Sequence, residues 1–166
     1  MTLTTHAIAG AAIAASMPHH LIIGFALAFA SHFVLDAIPH WDYQLRSYKK
    51  DETNRLNDDM PINRDFFIDL LHIGIDMSCG IIIVLLFFTL SGAQLFWAPF
   101  VGVFGGVLPD ALQFAYWKWR HEPLTSLQRF HIWVDHPERN LHHKPLVGVP
   151  FQIAVAVIII AASRLL

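Results

Sequence analysis

One cysteine, Cys79, stands among 166 residues. That excludes a disulfide framework and a cysteine-based zinc cluster. Charge is equally sparse: Asp, Glu, Lys and Arg make up 14% of the chain, against about 25% in ordinary soluble domains. Two stretches, 77–109 and 146–163, carry no charged side chain at all. With a formal net charge of −2, no basic tail and no glycine-rich phosphate loop, nucleic acid is not an expected partner. No His-Glu-x-x-His motif points to a zinc peptidase, and no internal repeat or low-complexity tract is present.

What fills the chain instead is hydrophobic side chain, 55% of all residues. A helix needs about 20 apolar residues to span a bilayer, so the first charge-free stretch suits two helices and the second one. Helices are expected near 65–90, 95–117 and 146–165, with SerGlyAlaGln at 91–94 as the turn between the first two. Upstream, 21–38 reads as a fourth helix. Residues 4–16 read as a shorter, Ala-rich fifth, capped by Thr4 or Thr5. The N-terminus lacks the basic flank of a signal peptide and is read as retained. The expected fold class is all-α: a polytopic membrane helical bundle of about five helices, with 1–166 as a single domain. Every Lys and Arg except Arg164 lies in two polar connections, 41–64 and 118–144, which the positive-inside rule assigns to the cytoplasmic side.

Against this background the ionisable residues stand out. His32 and Asp36 are four apart in one apolar run, and His72 and Asp76 repeat that spacing in another. Four residues make about one helical turn, so each pair projects from one face. Imidazole nitrogen and carboxylate oxygen are ligands zinc accepts, and a bound cation would offset the cost of burying them. Asp69 shares the stripe of His72 and Asp76, Asp110 arrives as the next helix returns, and His6 opens the short first helix. These groups are expected at one membrane level, near the cytoplasmic face. His40 and Asp42, beyond Pro39, could fold back over the first pair. His131, Asp135, His136, His142 and His143 crowd the second polar connection, where RFHIWVDHPERNLHHKP suits an interfacial helix turning Phe130, Trp133 and Val134 to lipid. Sequence does not choose among those histidines. Trp97, Trp117, Trp119 and Trp133 suit an aromatic belt.

The order Thr5-His6, His32-x3-Asp36, His40, then His72-x3-Asp76 resembles the helical zinc-dependent phospholipase C and P1-type nuclease group. With Pro109-Asp110, it also resembles the bacterial membrane-bound metal-dependent hydrolases of the YdjM-like family. The resemblance implies His32, Asp36, His72 and Asp76 as metal ligands, with His6 completing one ion's shell and His40 another's. It implies two or three zinc ions activating water against a phosphodiester.

The expected function is therefore a metal-dependent hydrolase of the cytoplasmic (inner) membrane, acting on a lipid phosphoester at headgroup level. Asp69 or Asp110 would take the proton from the attacking water. A divalent-cation transporter or channel, and a structural zinc site in a membrane scaffold, are the alternatives.

Overall fold

The structure, a computed structural model, describes residues 1–89, 96–135, 141 and 143–165. The expected turn at 91–94, and His136 and His142, lie outside the described residues. Among the described residues six helices form, rather than about five: α1 (Leu3–Ala15), α2 (Leu21–Asp36), α3 (Arg64–Val84), α4 (Trp97–Lys118), α5 (Leu124–Val134) and α6 (Pro145–Ser163). A π-helical turn, Leu85–Thr89, continues α3.

Three segments are long and apolar enough to cross a membrane: Arg64–Phe88, α4 and α6. Phe67, Leu71, Ile82, Leu146, Val147 and Ile158 are all exposed, the inversion expected where the solvent is lipid. Trp97 and Trp119, both exposed, bracket α4 at a separation of about 33 Å at 1.5 Å per residue, close to the bilayer's apolar thickness. Trp117 does not join them; it is only partly exposed and faces inward.

α1 is the hub. It packs against α2, α3, α4 and α6, and nine of its thirteen residues are buried. Small side chains make this possible: a Cβ on Gly10 would collide with the Gly102 carbonyl, and one on Gly106 would fall 2.5 Å from the His6 carbonyl oxygen. α1 and α4 thus cross backbone to backbone, the contact that substitutes in lipid for hydrophobic association. The helix begins at Leu3, with Thr2 as N-cap residue and no cap from its own side chains. The expected Thr4 or Thr5 cap is replaced by a carboxylate from another helix. Asp76 of α3 accepts the Leu3 and Thr4 amide N–H groups at 2.7 and 3.2 Å, where the helix dipole also favours negative charge.

α2 stops at Asp36, two residues short of the expected end, because Pro39 disfavours helix at Ile38. The 41–63 connection then folds over the ends of α3 and α4. α3 begins on an Asn63 cap, whose side chain accepts the Phe66 N–H at 3.0 Å. α5 comes earlier than the expected interfacial helix and turns only Phe130 and Trp133 outward; Val134 is buried.

Candidate metal centre

Three helices deliver the central groups. The glycine crossing seats His6 of α1 beside Gly106 of α4. On α2, the His32 Nδ1–H donates to the Gly106 carbonyl at 2.8 Å. That bond fixes the neutral ring's tautomer and leaves the Nε2 lone pair facing inward, the arrangement by which a ligating histidine is oriented. The His6 and His32 rings stack at 3.9 Å between centroids.

Asp36, buried to 2% exposure, lies at the focus. Its Oδ2 is 3.0 Å from His32 Nε2 and 3.2 Å from His131 Nε2, and the two imidazole nitrogens are 3.4 Å apart. A tetrahedral zinc ion with ligand bonds of 2.0–2.1 Å sets its ligand atoms about 3.3–3.4 Å apart. All three observed edges come close to that figure. On the other oxygen, Asp36 Oδ1 meets the Met1 amine at 2.8 Å and His6 Nε2 at 3.2 Å. Among the described residues, neither ring nitrogen of this fully buried histidine has a hydrogen-bond partner. Asp110 Oδ1 stands 3.6 Å from His32 Nε2, and His6, His32 and Asp110 form a second convergent trio beside His32, Asp36 and His131. Lone pairs facing one another in a buried site need a cation or protons between them. The donor set and its spacing fit a divalent metal.

The charged groups around the trio act in opposite directions. Burial alone would lower the pKa of the Met1 amine, yet Asp36, Asp42 and Asp110 raise it to about 10. Burial pushes the Asp42 carboxyl up to about 6. His40 Nδ1–H donates to the Ile38 carbonyl at 2.9 Å, which turns Nε2 toward Asp135, 3.9 Å away. Burial and the Met1 ammonium lower the His40 pKa and so favour its unprotonated form.

The remaining expected site residues stand apart. His72 is exposed on α3. Asp76 is committed to the start of α1 and receives the Tyr43 hydroxyl at 3.4 Å. Asp69 is buried and accepts three hydrogen bonds, from the Arg46 N–H, the Ser47 N–H and the Ser47 hydroxyl. None of the three joins a convergent His/Asp trio among the described residues. Of the histidines left open, His131 enters the centre, and His143 is exposed.

Asp135, named in the sequence only among the residues crowding the second polar connection, carries a further signal: His131 and Asp135 form a third His-x3-Asp spacing. Asp135 faces His40 and holds Arg55, whose guanidinium reaches its carboxylate at 3.2 Å.

Above the centre opens a cavity of about 460 Å³. Asp36, Asp110 and His131 contribute to its lining, as do His40, Lys50 and Arg55. No known protein family, curated protein or solved structure matches this chain.

Proposed function

We propose that this protein is a membrane-embedded, metal-dependent hydrolase of a lipid phosphoester, with its site on the cytoplasmic side of the inner membrane. The reading has the character of the membrane-bound metal-dependent hydrolases that the sequence resembles. One observation carries it: three buried donor atoms, edges 3.0, 3.2 and 3.4 Å, meet beneath an open cavity with cationic side chains in its wall. A structural zinc site is closed, whereas a hydrolytic one adjoins space for water and substrate.

His32, Asp36 and His131 would hold one ion. His6 and Asp110 would complete its surroundings, and His40 is poised at the cavity wall. A divalent ion, zinc by the donor chemistry, supplies positive charge for a phosphoryl group and acidifies water. The chain itself does the rest. Asp110, with its side chain 37% exposed, is the carboxylate placed to accept a proton from attacking water. Lys50, paired with Glu52, and Arg55, paired with Asp135, border the space an anionic headgroup would enter and would exchange those partners for it. Nearly every basic residue falls in the two polar connections, which supports cytoplasmic placement and multi-pass insertion.

Elemental mass spectrometry on detergent-purified protein tests this, with phosphate release from phospholipid micelles measured on the same samples. Stoichiometric zinc and turnover are expected in the native protein and in His72→Ala, and both should be lost in His32→Ala/His131→Ala. A metal-free native protein, or a double variant that keeps its zinc, refutes the centre. Bound zinc without hydrolysis of any phospholipid refutes the reaction and leaves a structural site.

A further inference from the structure

α3 and α6 each pack on α1, and a second hollow of about 330 Å³ lies between them. We infer that this hollow is a binding slot for a single hydrocarbon chain of a membrane lipid. The inference rests on the proposed function only in tying that chain to a headgroup held over the metal centre.

The slot offers a ligand nothing to hydrogen-bond. Its polar wall atoms are already engaged: Gln152 Oε1 accepts the Thr2 N–H at 3.2 Å and lies within 3.4 Å of the Thr2 and Thr5 hydroxyls. Gln152 Nε2 donates to the Trp41 carbonyl at 2.6 Å, and the Thr4 hydroxyl donates to the Asp76 carbonyl at 2.7 Å. The other walls are aliphatic or aromatic, including Ile8, Ile83, Phe87, Ile153 and Val157. A hollow of this kind does not hold water, which needs two to four polar partners.

The slot is a groove open along one side, where Ile153 and Val157 are exposed. Beyond Ile160 the Arg164 guanidinium donates to the Phe87 carbonyl and ties the end of α6 to the turn that continues α3. Between Gln152 and Ile160, eight residues of helix span about 12 Å. An extended acyl chain is the slender, apolar object that fits.

Position supplies the last argument. Thr2 and Trp41 line the slot, while their chain neighbours Met1 and Asp42 line the cavity over Asp36. The two hollows are one residue apart along two separate segments. A lipid whose phosphate sits over the centre has a place for one chain next door.

Occupancy can be read without turnover. The probe is phosphatidylglycerol carrying a diazirine midway along one acyl chain, in nanodiscs of dioleoylphosphatidylcholine, with adducts mapped by mass spectrometry. Adducts are expected to concentrate at Ile83, Ala156 and Ile160, the half-buried members of the slot wall, over the exposed Leu86 and Ile158. Filling the slot with Ala156→Trp, or independently Val157→Trp, should cut labelling at the remaining slot positions severalfold while zinc is retained. Even labelling over the outer faces of α3, α4 and α6, or slot labelling unchanged in both variants, overturns the inference. Slot labelling in a protein that hydrolyses no phospholipid supports the slot and counts against the hydrolase reading alone.

Discussion

Replacing Asp69 with Asn separates architecture from chemistry. The carboxylate accepts the Arg46 N–H on Oδ1 at 3.0 Å, and the Ser47 N–H and hydroxyl on Oδ2 at 2.7 and 2.6 Å. An amide of the same shape keeps the first acceptor and sets an NH2 against the other two donors. The Ser47 hydroxyl can turn and accept, but its N–H is left facing a donor. A buried donor stripped of its acceptor costs about 1–3 kcal/mol, and losing the ionic character of the remaining contact brings the total to about 2–4 kcal/mol. Asp69→Asn should therefore lower the unfolding free energy by that amount. It should also speed amide exchange through 44–50, while zinc stays bound. Turnover should change mainly through KM, because Tyr43, Gln44, Leu45 and Tyr48 line the cavity. Exchange rates and urea midpoints of the two proteins in one detergent supply the comparison. Unaltered stability and exchange, with turnover abolished, would show Asp69 to be a proton acceptor and the account of it as an anchor to be mistaken.

Gly106→Ala drives a Cβ to within 2.5 Å of the His6 carbonyl oxygen and prises α1 from α4. About 1–3 kcal/mol of stability should be lost. Zinc affinity should drop about 10- to 100-fold, because the Gly106 carbonyl orients His32; a melt and a zinc titration at wild-type values would rule this out. In the 41–63 connection, the Thr53 hydroxyl and amide, with the Asn54 and Asn57 donors, hold the Asp51 carboxyl below the usual range. Partial burial pushes Asp59 up, but the Lys118 ammonium overrides it and the net shift is also downward. Depressed carboxylates stabilise the fold above their unfolded pKa of about 3.9 and lose that contribution as pH falls through the lower folded values. Exchange protection across 49–59 should be level from pH 8 to 5 and decline below about pH 4; a decline on raising the pH would reverse the sign and refute it.

Much of the architecture was legible because charge is so scarce. Two charge-free stretches locate the three long helices, and the apolar setting of His32 and Asp36 singles out a pair that the structure buries side by side. His6 and Asp110 follow from the hairpin order. The second pair misled for a geometric reason. A spacing of four aligns His72 and Asp76 on a face but says nothing of depth, and depth was inferred by starting every helix at one plane. In fact α1 begins against Asp76, twelve residues into α3, about 18 Å along it at 1.5 Å per residue. Asp69 and His72 therefore rise beyond the start of α1, into the region the 41–63 connection covers. His131 stayed one of several open candidates because the helix was sought from Arg129 onward. Read from Leu124, the pattern turns Gln128, His131 and Val134 inward and Phe130 and Trp133 outward. The Asp36–His131 contact crosses ninety-five residues and has no local signature.

The burial of α1 has a consequence for biogenesis. This helix leaves the ribosome before the segments that enclose it: all four of its neighbours, α2, α3, α4 and α6, come from later in the chain. Thirteen residues are about 20 Å, too short to anchor a span unaided. The glycine face of α4 and the side closed by α6 are both made after α1 itself. A chain truncated before α4 lacks Gly106, Asp110 and His131 together and cannot bring these groups to Asp36 and His32.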